Sequence, residues 1–367
     1  MKAPYFALLL IAPPLAALAQ SAAPSVAASG SAVDIYGTID AGIESEHGCK
    51  GPCPTTKLDS GIEDGSRLGI RGREDLGNQV SAVFTLEAGI LNDTGASDQN
   101  GLLFGRQAFV GLDSARYGAL TMGRQYNLNY SMLVDMADPF KGGLAGAASN
   151  LVGYTQKRYD NSIKYVTPAL AGVTAAAIYS FGESPNSIAT NRAFGAMIGY
   201  ANGPFNISIA HQRKDDPVVP AGTVQLDQAA SNTLVAANFN FGAGTAYAAF
   251  GRDRGAGSSP WDASNPYGAV ALATPSTDSR DALIGVSVPR GAFTFMASYI
   301  RKDDRSMLDQ DADQIAVGMT YAFSKRTDVY TSFAKIHNKN GAFYTVGNAT
   351  SAGNGDRAIN IGLRHSF

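Results

Sequence analysis

The chain has 367 residues, with 29 basic and 31 acidic side chains, a formal net charge of −2 and a mean hydropathy of −0.07. This balance gives no overall electrostatic case for nucleic acid or for an anionic lipid surface as a partner. Glycine is abundant, at 41 residues, and helical periodicity is almost absent beyond the N-terminus, which argues against a helical globular protein.

The N-terminus is typical of a secretory signal. Lys2 precedes an apolar run over residues 3–18, and the small-residue triplet Ala17-Leu18-Ala19 suits a cleavage site. A membrane anchor is the alternative, but Pro13-Pro14 interrupts the run, which is shorter than the ~20 apolar residues that a spanning helix needs. We therefore predict a signal peptide over residues 1–19 and an exported chain over residues 20–367.

The exported chain contains no later run of about 18 apolar residues, so a membrane-spanning helix is not predicted. It shows period-two alternation instead. Val33, Ile35 and Ile39 fall on one face of the first segment, and Asp34 and Asp40 fall on the other. One face suits lipid and the other suits water. Because only helices and closed barrels satisfy every backbone polar group in lipid, the pattern favours a barrel.

Sixteen alternating segments recur along the chain and predict an all-β fold, a transmembrane antiparallel β-barrel with residues 20–367 as one domain. A soluble two-layer sandwich also alternates, but this many strands without covering helices favour closure. The predicted strands are 33–44, 65–74, 79–91, 104–114, 119–127, 158–167, 173–183, 192–202, 205–215, 233–242, 245–255, 279–288, 293–304, 313–323, 328–338 and 356–367.

The connections alternate between tight turns and long polar loops. Leu76-Gly77-Asn78, Asn202-Gly203-Pro204 and Gly242-Ala243-Gly244 are examples of the tight turns. Short periplasmic turns opposite long extracellular loops are typical of outer-membrane barrels. Aromatic residues near predicted strand ends suit an interfacial girdle. These are Tyr165, Tyr299, Tyr321, Phe323, Tyr330 and Phe367.

The two cysteines, Cys49 and Cys53, lie close together in a Gly/Pro-rich segment of the first long loop. In an oxidising periplasm we expect a local disulfide between them. A metal site that adds His47 is the alternative, but three candidate ligands without a fourth make it the weaker one. No cofactor is predicted.

Several motifs resemble the Gram-negative general porins of the β-proteobacterial and neisserial type. They begin with residues 34–42 (DIYGTIDAG), 66–72 (SRLGIRG) and 104–112 (FGRQAFVGL), and continue with residues 158–165 (RYDNSIKY) and 362–367 (GLRHSF). The resemblance spans the exported chain. It implies a homotrimer in the outer membrane, a third loop folded into each pore, and a terminal aromatic residue, Phe367, that the barrel-insertion machinery reads. The cysteine pair is not part of the family's usual pattern.

Inward-facing basic residues are the candidates for controlling ion passage, because selectivity in a channel depends on pore width and on the charges at its narrowest point. Strand parity points Arg67 and Arg71 toward the lumen, together with Arg158 and Lys164. The resemblance points to Arg67, Arg106 and Arg158 as a basic wall at the constriction. Arg106 shares parity with apolar residues, so it has to lie beyond the lipid-facing part of its strand. Arg124 is a further candidate.

The segment from Leu128 to Lys157 is the natural third loop, hereafter loop 3. Its acidic residues Asp135 and Asp138 are predicted to face the basic wall across the constriction. Inward charges in barrels often only solvate the wall or brace loops, and that alternative stays open for each residue.

We therefore predict a water-filled channel for passive diffusion of small hydrophilic solutes and ions, with a preference for anions. The alternatives are a solute-specific channel for an organic anion and a soluble secreted β-protein. An enzyme is not predicted, because the chain has four histidines and none lies in a recognisable nucleophile motif.

Overall fold

The structure, a computed structural model, describes residues 31–50, 56–185, 187–215, 229–260 and 276–367. The predicted signal peptide and Cys53 lie outside these residues, so the predicted cleavage stays a prediction. Within the described ranges, helices are all too short or too polar to cross a membrane.

Eighteen strands lie in the described ranges, and sixteen of them form the wall of a barrel. The short strands β2 and β5 are additions within the first two long loops. In chain order, the strands are β1 Ala32–His47, β2 Lys57–Ser60, β3 Arg67–Asp75, β4 Ser81–Leu91, β5 Ala96–Ser97, β6 Gln107–Ser114, β7 Gly118–Tyr126, β8 Arg158–Val166, β9 Val173–Ser180, β10 Ala193–Asn202, β11 Phe205–Asp215, β12 Ala229–Asn240, β13 Thr245–Arg254, β14 Asp278–Arg290, β15 Phe293–Asp304, β16 Ala312–Ala322, β17 Thr327–Asn338 and β18 Arg357–Ser366.

The barrel is closed by its first and last strands. Each wall strand pairs antiparallel with its neighbours, and β18 returns to β1 in a register that runs from Thr38 opposite Ser366 to His47 opposite Arg357. The predicted sixteen-stranded antiparallel barrel is therefore confirmed. The largest error in a strand boundary is at β12, which begins at Ala229, four residues before its predicted start.

Exposed apolar side chains alternate with buried polar ones along the wall, as the period-two pattern predicts. Ile43, Val110 and Ile361 are exposed on the outer face, whereas Thr121 and Asn360 are buried on the inner face. Tyr330 corrects the girdle prediction. Its ring points inward, is 2% exposed and donates a hydrogen bond from Oη to Asp40 Oδ1 at 2.5 Å. Tyr330 is one of the even-numbered residues of β17, which face inward, and its position near the end of the strand does not change that direction.

Loop 3 folds into the barrel, as predicted. It contains α1 Leu128–Met132, followed by one π-helical turn over Leu133–Ala137 and a 3-10 turn over Ala148–Asn150. Asn127 begins α1, and its side chain accepts a hydrogen bond from the Tyr130 N–H at 2.6 Å.

The inner face is apolar where loop 3 packs against it, so the expectation of a wettable inner face on every strand is wrong for this sector. The loop contributes Leu133, Met136, Phe140, Leu144 and Leu151 to one buried cluster with inward residues of the wall. Those wall residues are small or aliphatic, namely Ala193, Met197, Ala210, Leu234, Ala236, Leu283, Ile300, Ala316 and Ala334.

Two glycines let the loop approach the wall closely. A Cβ at Gly285 would lie 2.8 Å from Pro139 Cγ, and one at Gly318 would lie 2.8 Å from Phe140 Cε1. Loop 3 is thus a packed partition that fills one side of the lumen and confines the open path to the other side.

Candidate pore constriction

The open side of the lumen holds a cavity of about 670 Å³ that is lined by loop 3, by the first strands and by inward residues of β13 to β16. Its lining is polar and densely charged. The basic residues are Arg67, Arg106, Lys141, Lys157, Arg158 and Arg364, and the acidic residues are Glu63, Asp64, Glu87, Asp98 and Asp135. The structure therefore brings Arg67, Arg106 and Arg158 together at the narrowed lumen, as expected, but it sets carboxylates among them.

Arg67 begins β3 and lines the cavity beside an acid from the preceding loop. Its Nη1 and Nη2 donate to the two carboxylate oxygens of Asp64 at 2.6 and 2.8 Å. Burial alone would raise the pKa of Asp64, but the guanidinium of Arg67 outweighs it and holds that pKa at about 2. The bidentate pair fixes the Arg67 head group and cancels part of its charge.

Arg106 faces inward because it lies just before β6, outside the alternation of that strand. Its backbone N–H donates to the Glu87 carbonyl at 3.1 Å, and its Nε donates to Glu87 Oε1 at 2.8 Å. Glu87 also accepts a hydrogen bond from Tyr36 Oη at 2.8 Å. The parity objection to Arg106 is thus resolved by the position at which the strand begins.

Two neighbouring cations meet a pair of tyrosine rings where loop 3 rejoins the wall. The Arg158 guanidinium lies 4.3 Å from the centre of the Tyr126 ring, and Lys157 Nζ lies 5.3 Å from that of Tyr130. The two rings are stacked with centroids 5.9 Å apart. The face of an aromatic ring attracts cations, so the rings hold both cations at the cavity wall.

Lys157 is a lining residue that sequence reasoning missed. It is the last residue of loop 3, where no strand parity assigns it a face. Burial, together with the nearby cations Arg158 and Arg106, lowers the pKa of Lys157 to about 7. Its charge therefore changes near neutral pH.

The loop side of the cavity carries Asp135 and Lys141. Burial raises the pKa of Asp135 to about 7, and the positive charge of Lys141 opposes that rise. Asp135 lines the cavity, as expected, together with the basic wall.

Asp138 does not face the cavity, which corrects the second loop 3 prediction. Its side chain is 1% exposed and accepts hydrogen bonds from the backbone N–H groups of Phe140, Gly142 and Ala148 at 2.8 to 2.9 Å. An Asp-Pro-Phe segment with backbone donors nearby suits this turn-bracing role. Asp138 therefore stabilises the fold of loop 3.

Two predicted basic residues, Arg71 and Lys164, face inward but lie away from the cavity lining. Arg71 faces inward but nearer the short-turn end, where its Nε lies 3.6 Å from Asp34 Oδ2. Lys164 faces inward and is 2% exposed. Neither belongs to the wall of the constriction in this structure.

Arg124 is on the outer face of the barrel, which corrects its assignment to the pore. It shares parity with the exposed Leu120 and Met122, and its Nη1 lies 2.5 Å from Asp160 Oδ1. The Asp160 carboxylate is 64% exposed. The alternation of β7 therefore places Arg124 outside, and the register with β8 shifts only between Gly123 and Gln125.

Loop 3 is tied by hydrogen bonds to strands on the far side of the barrel. These bonds join Ala145 N to Ser332 Oγ, Asn150 Nδ2 to Gln314 Oε1, Gly153 N to Asp281 Oδ2 and Thr155 Oγ1 to Asn232 Oδ1, at 2.5 to 3.0 Å. Lys302 Nζ lies 2.8 Å from Asp281 Oδ1 and 3.0 Å from Asp253 Oδ2 in the same buried network. The constriction is therefore held from both sides.

Two predicted features lie outside the pore. Cys49 is disulfide-bonded, and Cys53 lies outside the described residues, so their pairing stays a prediction. Phe367 pairs with Gly37 through backbone hydrogen bonds of 3.0 and 3.1 Å. Its ring covers Gly37 so closely that a Cβ there would lie 2.5 Å from Phe367 Cζ.

Comparisons with known proteins agree with this geometry. A family model described as Gram-negative porin matches residues 15–341. An outer membrane porin protein of Bordetella pertussis is 28% identical, over 96% of this chain and 99% of its own. Outer membrane porin protein 32 of Delftia acidovorans is 27% identical over the same shares. Major outer membrane protein P.IB of Neisseria lactamica is 28% identical over the full length of both chains.

Solved structures share the fold. The anion-selective porin from Comamonas acidovorans superposes with a TM-score of 0.73 at 24% identity, over 92% of this chain and 100% of its own. OmpT of Vibrio cholerae, solved in a trimer form, superposes with a TM-score of 0.65 at 14% identity over the same shares.

Proposed function

This chain belongs to the Gram-negative porin family, and on that premise we propose that its pore passes small hydrophilic anions in preference to cations. As a member of this family, the protein is an outer-membrane channel for passive diffusion. The proposal concerns the ions and solutes that its constriction favours. No catalytic role is proposed.

The observation that carries the proposal is the charge around the cavity. Six basic residues line it against five acidic ones, and Asp64 and Glu87 are already engaged with Arg67 and Arg106. These pairs screen the cation and the carboxylate alike, so the excess of one basic residue over the acidic ones leaves the wall positive overall. The anion-selective porin from Comamonas acidovorans, which shares the fold, supports the same preference for this chain.

Planar-bilayer recordings of the purified protein test the proposal. With a tenfold gradient of KCl, an anion-preferring pore gives a reversal potential of the sign set by chloride diffusion. A potential of the opposite sign, in a preparation with ohmic single-channel steps, would contradict the preference while leaving the channel intact. Absence of channel steps would contradict the transport function itself.

A second candidate is a solute-specific channel for an organic anion, and the tyrosine pair favours it. Tyr126 and Tyr130 offer ring surface beside Arg158 and Lys157, a combination that suits an aromatic carboxylate. Benzoate at low millimolar concentration should then block the current. Acetate serves as the matched control, and equal, weak effects of the two anions would leave only general diffusion.

We also propose that the barrel assembles as a homotrimer and that Phe367 is read by the barrel-insertion machinery. The trimer form of the related fold from Vibrio cholerae supports the first proposal. The exposed ring of Phe367 at the end of the last strand supports the second. Loss of outer-membrane trimer from cells expressing Phe367→Ala, with normal secretion, is the expected result.

A further inference from the structure

A segment of the first loop enters the lumen and lies against loop 3. We call it the inner segment, and it consists of residues 61–66, between β2 and β3. The Ile62 side chain is fully buried in the cluster that loop 3 forms with the wall. The side chains of Glu63 and Asp64 line the cavity. The first loop therefore contributes to the constriction, whereas the sequence predicts an inward fold only for loop 3.

The inner segment packs closely on loop 3 and on the last loop, which lies between β17 and β18. The Ile62 carbonyl oxygen accepts hydrogen bonds from the backbone N–H of Leu144 at 2.6 Å and from that of Ala349 at 3.3 Å. A Cβ at Gly143 would lie 1.8 Å from the Glu63 carbonyl oxygen, so only glycine allows this approach. The inner segment is thus held between two other loops.

Asp40, a buried residue of β1, anchors the inner segment to the wall. Its Oδ2 accepts hydrogen bonds from the backbone N–H groups of Glu63 and Asp64 at 2.8 and 2.7 Å. Its backbone N–H donates to Ser66 Oγ at 3.0 Å, and its carbonyl oxygen accepts from the Gly61 N–H at 2.8 Å. Both ends and the middle of the inner segment therefore depend on one residue of the wall.

This anchoring places Asp64 among the arginines of the constriction. Its two carboxylate oxygens accept the bidentate pair of hydrogen bonds from Arg67, and the positive charges of Arg106 and Arg364 also act on it. The Asp64 side chain is nevertheless 34% exposed. An exposed charge at a constriction acts on every ion that passes. Asp64 is therefore in a position to reduce the attraction of the arginines for anions.

We propose that Asp64 is a specificity-determining residue that limits the anion preference of the pore, and that Asp40 is the positioning residue that holds it at the constriction. A carboxylate fixed beside Arg67 lowers the local positive potential. The paired hydrogen bonds also hold the guanidinium in one orientation. This role of Asp64 deepens the proposed function and rests on it. It gives the first loop a part in selectivity that strand parity cannot assign.

Reversal potentials of the purified protein in planar bilayers, under a tenfold gradient of KCl, test the role of Asp64. Asp64→Asn keeps the size of the side chain and removes its charge, so the chloride-to-potassium permeability ratio should rise about twofold or more. The matched control is Asp160→Asn, which removes the charge of an aspartate that pairs with Arg124 on the outer face.

An unchanged ratio in Asp64→Asn, or an equal rise in Asp160→Asn, would overturn the proposal. The comparison is between variants of one pore. A wild-type pore that prefers potassium would therefore contradict the proposed anion preference without affecting this test.

Measurements at two pH values separate Asp64 from Asp135, the acid that loop 3 contributes to the cavity. The pKa of Asp64 lies at about 2 despite burial, because Arg67 pairs with it, whereas burial raises the pKa of Asp135 to about 7. At pH 5, Asp64 is charged and Asp135 is protonated. Asp64→Asn should raise the ratio at pH 8 and at pH 5, and Asp135→Asn only at pH 8. A rise in Asp64→Asn that disappears at pH 5 would overturn the assignment.

The positioning role of Asp40 is tested by measuring the effect of Asp64→Asn in two further backgrounds. In Asp40→Ala the inner segment loses its anchor, so Asp64→Asn should change the ratio by less than about half as much as in the wild type. Asp40→Asn keeps an acceptor oxygen for the backbone N–H groups and should restore most of that effect. Equal effects in all backgrounds would show that Asp40 does not position Asp64.

Single-channel steps verify that each variant is folded. If Asp40→Ala gives none, Asp40→Ser takes its place, because the shorter serine side chain does not reach both backbone N–H groups. The result for Asp64→Asn alone decides the role of Asp64 in either case.

Discussion

The backbone N–H of Gly153 donates to Asp281 Oδ2 at 2.8 Å, which ties the end of loop 3 to β14 on the far side of the barrel. A Cβ at Gly153 would lie 2.0 Å from Asp253 Oδ2, so only glycine fits at this point. Lys302 Nζ lies 2.8 Å from Asp281 Oδ1 and 3.0 Å from Asp253 Oδ2, so one ammonium group holds both carboxylates. The width of the pore thus depends on a buried polar network outside the cavity.

Replacement of Asp281 should loosen this tether. Asp281→Ala removes the acceptor of Gly153 and one partner of the buried Lys302, a loss that typically costs about 3 kcal/mol or more. We expect the folded protein to convert to its heat-modified electrophoretic form at a lower temperature. We also expect larger current noise in the open channel. Asp281→Asn keeps an acceptor oxygen and should therefore keep the open-channel current noise of the wild type. Wild-type current noise in Asp281→Ala would show that this hydrogen bond does not restrain loop 3.

Closure of the barrel should depend on Gly37. In Gly37→Ala, the new Cβ would meet Phe367 Cζ at 2.5 Å and the Arg67 carbonyl oxygen at 2.7 Å. Overpacking of this kind typically costs about 1–3 kcal/mol. The temperature at which the folded protein converts to its heat-modified electrophoretic form should therefore fall.

A double variant isolates the contribution of the ring. Phe367→Leu in the Gly37→Ala background should recover part of the lost thermal stability, because the ring no longer opposes the methyl group. Strictly additive effects of the two changes would argue against the contact.

Anion preference should increase as pH falls from 8 to 6. The pKa values of Asp135 and Lys157 both lie near 7, so each group gains a proton over this range. Protonation neutralises Asp135 and charges Lys157, and both changes make the constriction more positive. Reversal potentials across a KCl gradient at the two pH values measure the effect.

Asp135→Asn and Lys157→Met should each remove part of this pH response. Asp113→Asn serves as a control, because its carboxylate pairs with Arg73 and lies outside the cavity lining. A wild-type reversal potential that is constant from pH 8 to 6, or that moves toward cation preference, would contradict the assignment of these two groups.

Alternation predicts the wall of this protein well, because a lipid-facing strand has to satisfy a simple two-sided pattern. It does not predict the polarity of the inner face where another segment packs against the wall. The inner face becomes apolar where Phe140 and its neighbours pack against it, whereas Arg124 and Tyr330 both follow the alternation of their strands. This difference depends on contacts between loop 3 and wall residues distant in the chain.

The constriction was predictable only in part. Arg67 and Arg158 follow from parity, and Arg106 needed the family resemblance. Lys157 and Asp64 lie in loops, where no periodicity assigns a direction to the side chain. Their positions depend on how loop 3 and the first loop fold against the wall, which is long-range information.

Reversal potentials of Arg67→Ala and Arg158→Ala under a salt gradient test the basic wall most directly, with Arg124→Ala as the matched control on the outer face. Removal of Arg67 also releases the charge of Asp64 into the pore. We expect both pore variants to move toward cation preference, by about twofold or more in permeability ratio, and Arg124→Ala to match the wild type. Unchanged potentials in both pore variants, or an equal shift in Arg124→Ala, would contradict the account.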